Sequence, residues 1–158
     1  MPLTLSLAGI TVTINNFINS EYPRVTVQPL SAVEFSAAGT PAIQGVYFEP
    51  KFMWQFSAYC SFTQRQLIEA IAHEFQTRRR NLQDCDVLLL DTTAYITEAS
   101  PRSRAIVPGG VEMSINSGSH LSYHATFKAA ITDGPKFSSN GRVDVLSMSL
   151  TETVRTQP

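Results

Sequence analysis

Apolar and polar residues alternate with a period of two from the start of the chain. Leu3, Leu5 and Leu7, then Ile10, Val12 and Ile14, are separated by Thr and Ser, and the phase breaks at Ala8-Gly9. Period two marks a strand with one buried face, and a two-residue break containing Gly predicts a β-hairpin. The period returns in residues 51–61, where Phe52, Trp54, Phe56, Ala58 and Cys60 share one face and Met53, Gln55, Ser57 and Tyr59 the other. Three large aromatics in one row require cover from another element. Residues 86–98 read as a second strong strand, apolar on both faces at Val87-Leu88-Leu89-Leu90 and therefore central or covered twice. Residues 121–132 alternate again, Asp133-Gly134-Pro135 reads as a turn, and residues 142–154 form the last strand. Its apolar phase changes between Val143/Val145 and Leu146/Met148/Leu150, which predicts a bulge or burial on both faces.

One segment carries a helical period. Leu67, Ile68, Ile71, Ala72 and Phe75 form a stripe, with Arg65, Glu69, His73, Glu74, Gln76 and Thr77 opposite, over residues 64–80. Thr63 followed by Gln66 fits a capping box, with Phe62 and Leu67 at the staple positions. Arg78, Arg79 and Arg80 close the helix, where cations complement the carbonyl end of its dipole.

Between these elements the chain is irregular. Residues 15–23 are rich in turn formers, and Pro29 divides two β-like pieces, because proline cannot donate to a ladder. Residues 37–41 read as a loop, and Glu49-Pro50 leads into the aromatic strand. Residues 99–120 are the longest irregular stretch, with Ile106-Val107 and Val111–Ile115 fitting a short hairpin around Pro108-Gly109-Gly110. Long loops in compact domains are usually functional or ordered by a partner. The tail, residues 155–158, is expected to fray. Strands without βαβ alternation exclude a doubly wound sheet. The expected fold is mainly β with one α-helix, an antiparallel β-barrel, split-barrel or sandwich with the single helix packed on it. Residues 1–158 read as one domain, with 1–36 as an N-terminal hairpin extension and 40–154 as the barrel with its helix.

Composition narrows the function. Twelve Lys and Arg against thirteen Asp and Glu give a net charge of −1, which disfavours a polyanion as the main partner. Charged residues make up 16%, below the roughly 25% of typical domains, and Ser and Thr number 31, so hydroxyls supply much of the polar surface. A surface of that kind suits a life inside an assembly. No run of 18 apolar residues is present for a membrane span, and the N-terminus lacks the basic start of a signal peptide. Cys60 and Cys85 read as two reduced thiols, one of them buried, in a reducing cytoplasm.

Chemical motifs are sparse. His120 and His124 lie on a strand-like stretch, where i and i+4 share a face but stand roughly 13 Å apart, unsuited to one metal. Asp84, Asp86, Asp91 and Glu98 read as solubilising strand ends. No Gly-x-Ser-x-Gly elbow and no phosphate-binding glycine motif is present. The expectation is therefore a non-enzyme without catalytic residues, cofactor or metal. Arg78, Arg79 and Arg80, with Arg102 and Arg104 as an outlying pair, are the candidate inter-subunit contacts, and the N-terminal hairpin and residues 99–120 the candidate arms.

The stretch GTPAIQGVYFEPKFMWQFSAYCSFTQRQLIEAIAHEF resembles the middle of tailed-bacteriophage tail-tip proteins, the distal-tail and minor-tail group. A glycine loop leads into a strand bearing an aromatic such as Trp54; a polar corner, a helix and closing strands follow. RVDVLSMSLTETV resembles the last strand of that group and of the related tail-tube proteins. The resemblance is one of layout over about residues 40–154; residues 1–36 and the long 99–120 loop depart from it. It implies a split barrel and a structural role in the virion tail, assembled in the host cytoplasm. Identical subunits would form a ring at the distal end, joining the tail tube to the adsorption apparatus or baseplate. Its partners would be identical subunits and neighbouring tail or baseplate proteins, with no specific nucleic acid and no membrane span. Three alternatives stand beside it: a tail-tube or tail-terminator subunit, a capsid-decorating or other β-rich binding module, and an enzyme whose site the sequence conceals.

Overall fold

In the computed structural model the hairpin forms where the period places it. Strands β1 (Leu3–Leu7) and β2 (Ile10–Ile14) pair antiparallel around Ala8-Gly9. Both turn residues take left-handed φ, 52° and 82°, so Ala8 shares a conformation that the pattern assigned to the glycine alone. The structure describes residues 1–18, 23–27, 31–35, 37–39, 41–45, 51–139, 141–154 and 156. The Pro29 break and the Glu49-Pro50 approach lie outside them.

The remaining elements are β3 (Arg24–Val27), β4 (Ser31–Phe35), β5 (Pro41–Gly45), β6 (Lys51–Cys60), α1 (Phe62–Arg80), β7 (Val87–Asp91), β8 (Ile96–Ala99), β9 (Met113–Ile115), β10 (His120–Tyr123), β11 (Thr126–Ser139) and β12 (Asp144–Glu152). Seven strands form one antiparallel sheet in the order β2-β1-β7-β11-β12-β6-β3. A three-stranded sheet, β8-β10-β9, and the β4-β5 ribbon complete the described strands. The fold is mainly β with a single described helix, and no barrel closes through strand pairing among the described residues. The hairpin is not an extension: β1 pairs with β7, and Leu3, Leu5, Leu7, Val12 and Ile14 are buried in the common core.

One face of the large sheet makes that core. Alternation turns Trp54, Phe56, Ala58 and Cys60 inward from β6, Val87 and Leu89 from β7, Phe127, Ala129 and Ile131 from β11, and Leu146, Met148 and Leu150 from β12. Ile96, Leu121 and Tyr123 add the inner face of the small sheet to the same cluster. Helix α1 covers the sheet with Ile68, Ile71 and Phe75, each burial being worth about 1.5–3 kcal/mol.

Several boundaries differ from the sequence reading. The N-cap is Ser61, not Thr63: Ser61 Oγ accepts from Gln64 N at 3.2 Å, and Gln64 Oε1 accepts from Ser61 N at 2.9 Å. Gln64 Nε2 also donates to Thr13 O at 2.8 Å, tying the helix start to β2. Phe62 therefore stands at the first helical position, 70% exposed, instead of forming a staple. The strand expected over residues 86–98 is two strands in different sheets, β7 and β8. They separate where Asp91 Oδ1 accepts from both the backbone and the hydroxyl of Thr93. Leu88 is 39% exposed, so β7 is central but covered on one face only.

Residues 121–132 likewise divide at His124-Ala125 into β10 and β11. Asp133-Gly134-Pro135 is not a turn but a bulged stretch inside β11, whose register against β12 shifts between Ile131 and Asp133 and again before Lys136. The irregularity thus sits on β11, while β12 stays in continuous register with β6. Val111–Ile115 does not pair with Ile106-Val107: β9 pairs with β10, and Ile106 bridges to Ala125. In the tail, Thr156 is buried and held, its Oγ1 donating to Thr126 O at 2.5 Å and accepting from Ala105 N at 3.1 Å.

Candidate functional site

The five candidate arginines separate into three settings. Arg79 and Arg80 are exposed at the end of α1. Arg78 turns back along its own helix to Glu74 at 2.7 Å and reaches Asp84 O at 3.3 Å. Arg102 pairs with Glu112 at 2.9 Å, closing the 99–112 loop on itself. Arg104 is an interior residue with its side chain 3% exposed, so its charge is spent within the chain and not on a surface. Its Nε and Nη2 grip the two oxygens of Glu152 at 2.7 and 2.9 Å.

Arg104 belongs to a buried network that the sequence reading missed. Arg24, on β3, reaches Asp91 Oδ2 at 3.0 Å and the Tyr95 carbonyl at 2.7 Å. Trp54 Nε1 donates to the same Asp91 oxygen at 3.0 Å. Both guanidinium carbons lie over the same two rings, Arg24 at 5.0 Å from Phe52 and 5.7 Å from Phe127, Arg104 at 5.0 and 5.5 Å. Two cations, two carboxylates and an aromatic pair therefore neutralise one another inside the sheet's curl. Burial pulls the Arg24 guanidinium below its ordinary value, against the opposing pull of Asp91.

A second polar chain adjoins it. Tyr123 Oη donates to Glu98 Oε1 at 2.6 Å and accepts from Arg104 N at 3.2 Å, and Ser103 Oγ donates to Glu98 Oε2 at 2.6 Å. Burial would raise Glu98, but the hydrogen bonds from Ser103 and Tyr123 outweigh it and hold the carboxyl below its usual range. Tyr123 is pushed up to about 12 by burial and by its bond to Glu98. Every acid here has fixed donors. The arrangement ties residues 98–105 to the core.

The histidines are engaged separately. His120 Nδ1 lies 3.0 Å from Ser119 Oγ, and His124 stacks on Tyr95 with ring centres 3.9 Å apart. Among the described residues no three His, Cys, Asp or Glu gather as metal ligands. Cys60 and Cys85 are free thiols, and burial raises the Cys60 thiol above its ordinary value. No described helix is long and apolar enough to cross a membrane.

Two surfaces remain as candidate functional features. The outer face of the large sheet carries hydroxyls bonded to one another across strands. Thr4 meets Thr13 at 3.1 Å, Ser6 meets Thr11 at 3.1 Å, Ser57 meets Ser147 at 2.8 Å and Thr132 meets Thr151 at 3.3 Å. No outward position of β1, β2 or β12 is charged. The other surface is the small sheet's edge strand β9, where all three residues are exposed and Val111 precedes them. Comparisons of the chain with protein-family models, with curated proteins and with solved structures return no match.

Proposed function

We propose that this chain is a structural subunit of a bacteriophage tail, assembling as a ring of identical copies at the distal tail or baseplate hub. The observation that carries the reading is the hydroxyl face. A sheet face covered by a neighbour must lose water. Burying unpaired charges is costly, and burying an unpaired hydroxyl costs about 1–3 kcal/mol in proteins. Here the Ser and Thr side chains bond one another in pairs across strands, so a neighbour that covers them has to meet one O–H donor per pair instead of two. The low charge of the whole chain supports the same reading, as does the likeness of layout between residues 40–154 and the tail-tip group. The described strands and helix are compatible with it. Joining the tail tube to the adsorption apparatus would be the work of the ring, not of a reactive site.

Negative-stain electron microscopy of the purified chain over a concentration series tests the reading. Closed rings of uniform diameter are the expected result. Long stacked cylinders would assign the chain to the tail tube instead. Compact single particles at every concentration would overturn self-assembly.

A further inference from the structure

The C-terminal end of helix α1 is held only by local bonds. Phe75 is its last buried residue, Val87 is the next along the chain, and no residue between them is buried. This end is closed by backbone hydrogen bonds from Asn81 N to Thr77 O at 3.1 Å, from Leu82 N to Arg79 O at 3.3 Å and from Gln83 N to Arg78 O at 2.9 Å. The last two form the motif that normally places a glycine, in left-handed backbone, just past a helix end. Here that position is Leu82, at φ 54° and 95% exposed. A leucine is strained in that conformation, and its side chain gains no burial there. Opening residues 76–86 therefore breaks local bonds, relieves strain and leaves the core in place, which puts this segment at the low end of local stability.

The same segment carries the densest basic run of the chain, Arg78-Arg79-Arg80, with Arg79 and Arg80 exposed and Arg78 tied to Glu74. We propose that this run is a site of modification by limited proteolysis, cut after Arg79 or Arg80 by an arginine-specific serine endoprotease, whose acidic specificity pocket takes the guanidinium. Water adds across the peptide bond: the C–N bond breaks, the hydroxyl stays on the arginine carbonyl as a new carboxyl, and the proton goes to the released nitrogen as a new amine. Other arginines are poorer substrates. The side chains of Arg24 and Arg104 are inside the sheet. Arg142 is exposed but stands in the short connection 140–143, where Phe137, Ser138 and Ser139 pair directly with Leu146, Val145 and Asp144. Drawing that stretch into a protease cleft would unzip the β11–β12 ladder.

A cut at the end of α1 leaves the fold standing. Residues 1–80 supply β1 to β6 and α1, and residues 81–158 supply β7 to β12. In the large sheet, β7-β11-β12 of the second piece lie between β2-β1 and β6-β3 of the first. The β1–β7 and β12–β6 ladders therefore both cross from piece to piece. So do the Arg24–Asp91 ion pair and the Trp54 hydrogen bond to Asp91. Ile68, Ile71 and Phe75 of the helix share one buried cluster with Leu89, Phe127 and Leu146. The product is a nicked, two-chain protein with a single core, and the site needs no second copy of the chain.

Brief exposure of the native full-length chain to a trace of trypsin tests the proposal. Denaturing mass spectrometry locates the first cut, and size exclusion without denaturant shows whether the pieces stay together. The expected result is one pair of complementary fragments meeting at Arg79 or Arg80, eluting together at the position of the uncut protein. The double variant Arg79→Gln, Arg80→Gln, at two exposed positions, should lose this fragment pair while its circular dichroism matches the wild type. A first cut of the wild type at any other lysine or arginine, Arg142 and Arg155 included, would overturn the site. A native chain that is cut only once it has been thermally unfolded would overturn it as well. Fragments that separate or aggregate on the column would overturn the two-chain product.

Discussion

Arg24 and Asp91 form an ion pair of 3.0 Å although their strands stand four places apart in the same sheet. In a flat sheet four strand spacings would separate β3 from β7 by about 19 Å, far beyond one side chain. The sheet therefore curls until its edge strand returns over β7, and side chains bridge the gap that strand pairing does not close. Trp54 Nε1, three strands from Asp91, reaches the same oxygen from within the curl. A loop arginine is buried beside it: Arg104 lies over the same aromatic pair and is neutralised by Glu152.

Breaking this pair from one side leaves a buried charge without its counterion, which costs about 3–5 kcal/mol. Asp91→Asn is expected to lose stability of that order in urea unfolding followed by Trp54 fluorescence. Arg24→Met combined with Asp91→Asn should be more stable than Asp91→Asn alone, because the double variant removes the stranded cation. A double variant at least as unstable as the sum of the singles would contradict the pairing.

Glu98 and Tyr123 set opposite ends of the pH–stability curve. Glu98 is held below its ordinary value of about 4.3, so its contribution is complete above that pH and is lost as pH falls through the lower folded value. Tyr123 is raised to about 12, so its contribution is complete below the ordinary value of about 10 and is lost as pH rises toward 12. Glu98→Gln should flatten the acid limb and Tyr123→Phe the alkaline limb, measured by denaturant midpoints across pH. An alkaline limb unchanged in Tyr123→Phe would contradict the assignment.

Helix capping gives a sharp local test. Ser61→Ala removes the observed cap and is expected to cost about 1 kcal/mol. Thr63→Ala, at an exposed position inside the first turn, should stay within about 0.5 kcal/mol of wild type. The reverse order would place the cap two residues later.

Gly134 occupies the β11 bulge at φ 83°, and a Cβ there would come within 2.8 Å of the Ser147 carbonyl oxygen. Gly9 has a similar φ of 82° but open space around it. Gly134→Ala should therefore destabilise more than Gly9→Ala, which carries only the backbone strain of about 1 kcal/mol. Thermal unfolding of the two variants makes the comparison.

The sequence made the fold class legible where burial is one-sided. In β1, β2 and β6 the alternation of Leu3 to Leu7 and of Trp54 to Cys60 matches the observed inner face residue for residue. It failed where a local signal had two physical outcomes. Ser61-x-x-Gln64 and Thr63-x-x-Gln66 both spell a capping box, and only the first lets Gln64 also bind Thr13. Asp133-Gly134-Pro135 spells a turn, yet pairing with β12 resumes beyond it and converts it to a bulge. Arg104 resembled its neighbour Arg102, and nothing near it in sequence announces Glu152, 48 residues away. Interior charge pairs are decided by the curl of the sheet, which no single strand encodes. The exposed ridge at Val111, Met113 and Ile115 was present as a pattern but was read as half of a different hairpin.

Native mass spectrometry of the full chain tests self-assembly most directly. A ring of identical copies predicts one dominant mass at a fixed multiple of 17.4 kDa that persists on dilution until it falls to monomer in one step. A monomer peak alone at every concentration, or an open ladder of masses without a preferred size, would contradict the proposed ring.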